Sequence, residues 1–282
     1  MPLVPILNEL KKAQAGRYAV PLFVTFDMVA TEGLFAALEE KRSPAMIAIY
    51  SGWLDRPSAR GFARLIRTLA EQATVPVSLM LDHGANFEQC AKALAMGFTD
   101  IMFDGSQLPL AENIAQASWV VRAAHAAGAG VEAELGHVGS GSEYQSYGAR
   151  GLGFTDPEVA ERFAAETGVD ILAVAIGTAH GVCQGEPHLD LPRLAEIRRR
   201  VNTPLSMHGG SGLSEEQFHA AIAGGIAKVN IFTDLGIRAG EAMQEAARSE
   251  KASYFSILDT MRQSFRERSG YYLDLFGSAG KA

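Results

Sequence analysis

The sequence predicts an eight-stranded parallel (β/α)8 barrel, a TIM barrel, closed by a helical C-terminal extension, and three observations carry that expectation. Eight short apolar runs alternate with helical patterns along 282 residues. Eight such units in about 250 residues is the size of a closed barrel. Residues able to do chemistry also fall at the C-terminal tips of six different runs, where barrels build their sites. An open doubly wound sheet fits the alternation as well, but not so naturally the unit count and the shared mouth.

The elements follow in order. An amphipathic helix over 3–15 stops at Gly16, and 19–24 reads as the first strand, followed by a helical stretch over 28–41. Further apolar runs occupy 45–50, 75–81, 100–103, 130–135, 171–176, 204–207 and 228–231. Between them lie helical patterns over 59–72, 87–96, 111–127, 157–167, 191–200 and 215–223. Strands covered on both faces read as unbroken apolar runs rather than alternating ones, as here. The helical extension begins near Ala252, and the absence of a linker or low-complexity tract leaves one domain over 1–282.

Composition excludes several classes of partner. A net charge of −7 and a pI near 5.5 leave no basic stripe for nucleic acid or an anionic membrane. Arg198-Arg199-Arg200 is the densest basic cluster, and it ends a helix, where cations offset exposed carbonyls. Cys90 and Cys183 share no CxxC spacing, which fits a reducing compartment. With no apolar run of about 20 residues and no export-type N-terminus, the expected location is the cytoplasm.

The richest stretch runs from Pro204 to Gly212, a short strand that stops in His208-Gly209-Gly210-Ser211-Gly212 before Ser214 opens a helix. Amides in such a turn close around a phosphate, and the histidine beside them is free to bind metal or move protons. Asp82-His83 follow strand three, Asp104-Gly105-Ser106 strand four, Glu134 closes strand five, His180 follows strand six and Asn230 sits on strand eight. His83, His180 and His208 make a zinc set, with Glu134 as an added ligand. Any one of them alone reads more readily as a core or loop histidine, and it is three at one barrel mouth beside carboxylates that reverse the balance. Asp82 is placed for acid or base work, its alternative being an N-cap for the next helix. Asp104 is a further ligand or a carboxylate that orients a liganding imidazole. Gly181, Gly209-Gly210-Ser211, Asn230 and Thr233 compose a phosphate cradle.

These residues, in this order and spacing, resemble the class II, metal-dependent ketose-bisphosphate aldolases. The resemblance spans nearly the whole chain: Leu81-Asp82-His83-Gly84, Met102 to Ser106, Val131 to Gly136, Gly177 to Gly181, His208 to Gly212, Lys228-Val229-Asn230 and the terminal segment from Leu275 to Ala282. By this resemblance His83, His180 and His208 bind Zn2+, and Glu134 resembles the carboxylate ligand of the resting or spectator metal position. Asp82 acts at the hydroxyl that becomes the aldehyde, while Ser51, Gly181, Gly209, Gly210, Ser211, Asn230, Phe232 and Thr233 line the substrate site. A monovalent cation, Na+ or K+, accompanies the phosphate in such sites. Zinc would polarise the ketose carbonyl and stabilise the enediolate left by carbon–carbon cleavage. In the condensing direction a second carboxylate removes a carbon-bound proton. The loop after Leu135-Gly136 offers Glu143 for this, displaced about one residue from the family pattern.

Departures bear on the substrate. Val24 stands where the family has asparagine, and Gln184 where it has lysine. Bisphosphate members read Asn-x-Asp-Thr-Asp-Leu-Arg on strand eight, with the first aspartate near sugar hydroxyls and the arginine on the far phosphate. Here Phe232 replaces that aspartate and Gly236 the arginine, and Arg238 points elsewhere on a helix. The loss of a charge-paired fork costs a bisphosphate several kcal/mol at its far end. The expected activity is therefore cleavage of a ketose 1-phosphate lacking a distal phosphate into dihydroxyacetone phosphate and an aldehyde. The competing readings are a fructose- or tagatose-bisphosphate aldolase, a metal-dependent phosphosugar epimerase and a non-catalytic sugar-phosphate-binding protein. The family is commonly dimeric or tetrameric, and aromatic residues from Tyr254 to Phe276 could meet a partner or the barrel.

Overall fold

The computed structural model describes residues 2–143, 153–182, 185 and 187–282. Eight strands close into a parallel barrel in strict chain order: β1 (Val20–Val24), β2 (Ala45–Tyr50), β3 (Val77–Gly84), β4 (Asp100–Phe103), β5 (Gly130–Leu135), β6 (Ile171–Val174), β7 (Leu205–Met207) and β8 (Ile226–Ile231). β8 returns to β1 through the register Leu22 to Asn230, which completes the cylinder. The connecting helices are α2 (Met28–Lys41), α3 (Ala59–Gln72), α4 (Phe87–Met96), α5 (Leu110–Ala126), α6 (Pro157–Thr167), α7 (Leu191–Arg200) and α8 (Glu215–Ala223), between an opening α1 (Leu7–Gly16) and a closing pair, α9 (Thr233–Ala247) and α10 (Tyr254–Leu275).

Local chemistry explains most boundaries. Asp27, Asn86, Asp156, Asp190, Ser214 and Ser253 each cap the helix that follows by accepting a backbone N–H. The α4 cap is thus Asn86, which leaves Asp82 free of that duty. α1 begins four residues later than its apolar pattern, because the residue before Pro5 is held extended. Val4 instead donates its N–H to Val77 O at 3.0 Å and Pro2 O accepts from Val77, so the N-terminal segment extends along β3. Arg198-Arg199-Arg200 ends α7 as expected, with Arg199 and Arg200 paired to Glu196 and Arg200 also to Glu158 and Glu161.

Two apolar layers position the site. One lies between strands and helices, and the other fills the barrel with Val20, Leu22, Met46, Ala48, Met80 and Met102. Ile6, just before α1, and Leu10 and Ala13 within it join the inner layer and plug the N-terminal end, so the cavity opens at the C-terminal mouth. α10 packs along α2 and α9. Gly33 makes the first contact possible, since a Cβ there would run into the carbonyl oxygen of Arg262.

The plug is pinned by Asp100, 1% exposed, whose two carboxylate oxygens accept the Ile6 N–H at 3.3 Å each. Burial raises this carboxyl to about 7, against the hydrogen bonds from Ile6 and Thr99. The folded chain therefore keeps a proton that the unfolded chain releases above about pH 4, and stability falls as pH rises from about 4 to 7. Asp100→Asn removes that term, so urea midpoints should move in favour of the variant, relative to wild type, across this window. A constant difference between the two proteins from pH 4 to 8 would refute it.

Candidate metal and phosphate site

Strand geometry delivers Asp82 and His83 to the same mouth. Successive residues of a regular strand face opposite sides of the sheet, so a pair can share a face only where the strand is deformed. The β3–β4 register shifts between Leu81 and Gly84, and His83 adopts a left-handed φ of 53°. This bulge turns both side chains toward the cavity. Gly84 is required beside it, because a Cβ would lie 2.6 Å from Met102 O.

Three imidazoles converge from β3, the β6 end and the β7 end. Their rings are nearly perpendicular, with centroids 4.9 Å apart for His83–His180 and His83–His208 and 5.8 Å for His180–His208. Each ring is held by its outer nitrogen. His83 Nδ1 lies 2.7 Å from Asp104 Oδ2, His180 Nδ1 3.0 Å from Val138 O, and His208 Nε2 2.6 Å from Glu132 Oε1. The inner nitrogens face one another: His208 Nδ1 is 3.1 Å from His83 Nε2, and His180 Nε2 is buried with no hydrogen-bond partner among the described residues. One donor atom from each of the three lies within 4.8 Å of the others.

Charge points the same way. Burial works against protonating His83, but Asp82, Asp104 and Glu134 around it outweigh that and raise it to about 9. Burial lowers His180 to about 3, and the neighbouring His83 and His208 add to the shift. His208 falls to about 4 through burial despite its bond to Glu132. Two neutral imidazoles beside a third that draws a proton, under surrounding carboxylates, form a site organised for a cation. Nitrogen donors that leave one direction open fit Zn2+. Glu134, raised to about 8 by burial and by Asp104, sends Oε2 to 3.8 Å from His208 Nδ1, in reach of the same centre. Asp104 belongs to a second set, with His83 and Glu134, whose donor atoms lie within 4.8 Å of one another and could hold a metal ion, and it also orients its neighbours. Its Oδ2 takes His83, its Oδ1 accepts from Ser106 N and Oγ, and the His83 bond holds it well below the usual carboxylate range in spite of burial.

Behind His208 runs a chain of buried polar groups that the strand pattern alone did not single out. Glu132 and Lys228, both 0% exposed, are paired at 2.9 Å. Lys228 Nζ also donates to Ser206 Oγ at 3.2 Å and Asn230 Oδ1 at 2.6 Å, and Asn230 Nδ2 donates to Asp82 Oδ1 at 3.2 Å. His208 is thereby linked to Asp82 through four hydrogen-bonding contacts. The readable signal was a glutamate and a lysine inside runs too apolar to carry an unpaired charge.

The cavity over these groups has a volume of about 650 Å3. Ser51, Asp82, Gly181, Gly209, Ser211, Asn230, Phe232 and Thr233 line it. Gly210 does not; it is buried behind the turn, against Val229, Ile231 and Phe218. Gly209 has a φ of 67°, and a Cβ there would meet Ala179 O, so this position demands glycine. α9 starts beside the turn with Phe232 as an N-cap that cannot hydrogen-bond its amides, while Ser211 Oγ accepts from Asp234 N at 3.3 Å. The negative Asp234 in that first turn is paired with Arg268 at 2.5 Å and accepts from Tyr272 OH at 2.9 Å. The helix end is thus left open to an anion.

The segment after β5 is tied to the cluster: Gly141 N donates to His180 O, and His180 N donates to Gly139 O at 2.8 Å. Glu143 ends a short 3-10 helix, Gly141–Glu143, and its side chain lies outside the described residues. Gln184 and Cys183 also lie outside them, while Cys90 is a free, buried thiol. Arg238 turns to Glu241 at 3.3 Å and Asp234 at 3.8 Å rather than into the cavity. No helix among the described residues is long and apolar enough to cross a membrane.

Comparison with known proteins fits this geometry. The family model described as fructose-bisphosphate aldolase class-II matches residues 4–281. A fructose-bisphosphate aldolase of Thermus caldophilus is 36% identical over 99% of this chain and 100% of its own length. One of Geobacillus stearothermophilus is 37% identical over 100% of this chain and 99% of that protein. The crystal structure of the YdjI aldolase of Escherichia coli K12 superimposes with a TM-score of 0.90 at 34% identity, covering 99% of each chain.

Proposed function

Because the chain belongs to the class II fructose-bisphosphate aldolase family, and is thus a carbon–carbon lyase, we propose that it cleaves a ketose 1-phosphate with no distal phosphate into dihydroxyacetone phosphate and an aldehyde. The observation that carries this reading is Phe232. It lines the cavity where bisphosphate relatives place a carboxylate, and it packs edge to face on Phe26 at 5.0 Å. Among the described residues lining the cavity there is no lysine or arginine to pair with a second phosphate.

In this reading His83, His180 and His208 hold Zn2+, with Glu134 as an additional ligand. The metal supplies Lewis-acid polarisation of the substrate's carbonyl and hydroxyl oxygens. Asp104 fixes the His83 ring, Glu132 fixes His208, and the Val138 carbonyl fixes His180, so the donors are set before substrate arrives. The near phosphate sits on the amides of Gly181, Gly209, Ser211 and Thr233 at the open end of α9, where no counter-charged side chain is needed. Asp82 takes the proton from the hydroxyl that becomes the aldehyde, and Asn230 holds the carboxylate in place through its amide. Glu143 is the proposed base for the carbon-bound proton in the condensing direction, and Ser51 contributes a hydroxyl to the wall of the pocket.

The test is kcat/KM for fructose and tagatose bisphosphates against a panel of ketose 1-phosphates, with triose phosphate release as the readout. A ketose 1-phosphate should lead by at least about tenfold, since a phosphate without a cationic partner forfeits more than 1.4 kcal/mol. Preference for either bisphosphate ends this reading, and an epimerised product without triose phosphate replaces it.

A further inference from the structure

Beyond the near phosphate and the metal-binding cluster, one side of the cavity is built from aromatic residues. Phe26, between β1 and α2, stacks on Trp53 with centroids 4.3 Å apart at 34°, and meets Phe232 edge to face at 5.0 Å and 81°. Arg56 lies 3.5 Å over the Trp53 ring and backs the stack from outside. Val24, 4% exposed, continues the same surface down β1. Phe26, Phe232 and Val24 all line the cavity, and Phe232 keeps 39% of its surface open. The three come from β1, the β1–α2 connection and the β8 tip, elements joined by barrel closure.

Size argues that this wall is used. A triose phosphate of about ten non-hydrogen atoms, each given the volume of a liquid water, about 30 Å3, fills less than half of a cavity of 650 Å3. The remainder leaves room for the second half of the substrate. Polar walls reject a ligand that leaves their groups unpaired, whereas an aromatic wall rewards buried C–H surface and offers nothing to a phosphate.

We propose that Phe26, Phe232 and Val24 determine specificity for the aldehyde half, selecting an unphosphorylated aldehyde that lays an apolar face on this wall. The inference rests on the proposed lyase reading and deepens it by naming the class of the second product. Trp53 and Arg56 act behind the wall as positioning residues for Phe26.

Condensation separates the two levels, since dihydroxyacetone phosphate can be held saturating while the aldehyde is varied. The wild-type enzyme should use phenylacetaldehyde and butyraldehyde with a kcat/KM at least about tenfold above that for glyceraldehyde 3-phosphate. In Phe26→Ala the ratio of phenylacetaldehyde to glycolaldehyde should fall at least about tenfold. Phe232→Asp, at a partly exposed position that spares the core, should move the ratio in the same direction. Equal losses for every aldehyde or an unchanged ratio overturn the wall proposal while leaving the proposed function intact, whereas a wild-type preference for glyceraldehyde 3-phosphate overturns both and leaves only the carbon–carbon lyase. Absence of product with all aldehydes, together with no cleavage of any ketose phosphate, overturns the lyase reading itself.

Discussion

Lys228→Met is expected to lower the unfolding free energy by about 3–5 kcal/mol, because it strands the Glu132 carboxylate in the barrel interior. Both side chains are 0% exposed, and the pair is closed at 2.9 Å. Lys228 holds Glu132 below the usual carboxylate range, to about 2, although burial pushes the other way. Methionine matches the length of lysine without its charge, so the loss is electrostatic rather than steric. For a chain of this size the melting temperature should drop by roughly 10 °C. The double variant Glu132→Gln/Lys228→Met should recover much of that loss, since it removes the stranded charge and keeps an acceptor for His208. Urea unfolding of the three proteins checks the pattern. A single variant as stable as wild type, or a double variant no better than the single, would show that the pair is not the source of stability.

The barrel and its site differ in how far they can be read from sequence. Strands such as Ala45–Tyr50 are legible because parallel strands are buried on both faces, and the residues at their tips are legible because only polar residues of a few types end such runs. His180, His208 and Asn230 could therefore be placed at one mouth from order alone. The bulge at His83 could not, since nothing in Leu81-Asp82-His83-Gly84 announces a left-handed histidine until β4 fixes the register. The contact of Asp104 with the His83 ring nitrogen at 2.7 Å was hidden for the same reason, since it depends on the folded register and not on spacing along the chain. Gly210 reads like its neighbours in the turn, yet alternation around the turn buries it. Phe26 and Trp53 carried no signal because each is an ordinary loop aromatic alone. They become a surface only when β8 closes on β1 and brings Phe232 across.

Asp82→Asn should lower kcat by about 10²–10⁴-fold, the range lost with a positioned acid or base, while bound metal per chain stays at the wild-type level. The substitution is conservative in shape. The amide oxygen still accepts from Asn230 Nδ2, which lies 3.2 Å from Asp82 Oδ1, and the three imidazoles keep Asp104, Val138 and Glu132 as their outer partners. Only the proton acceptor is lost, at a position 6% exposed where water cannot readily replace it. Because Asp82 also contributes to raising His83, the variant makes that ring less basic and does not weaken it as a metal ligand. KM for the ketose phosphate should change little, since in the proposed reading the phosphate sits on the amides of the turn after β7 and the start of α9 rather than on the Asp82 carboxylate. Metal analysis and steady-state cleavage on the same preparation decide the matter. A kcat within about tenfold of wild type would take the proton transfer away from Asp82. A fall in activity matched by an equal fall in metal content would make it a support of the metal cluster instead.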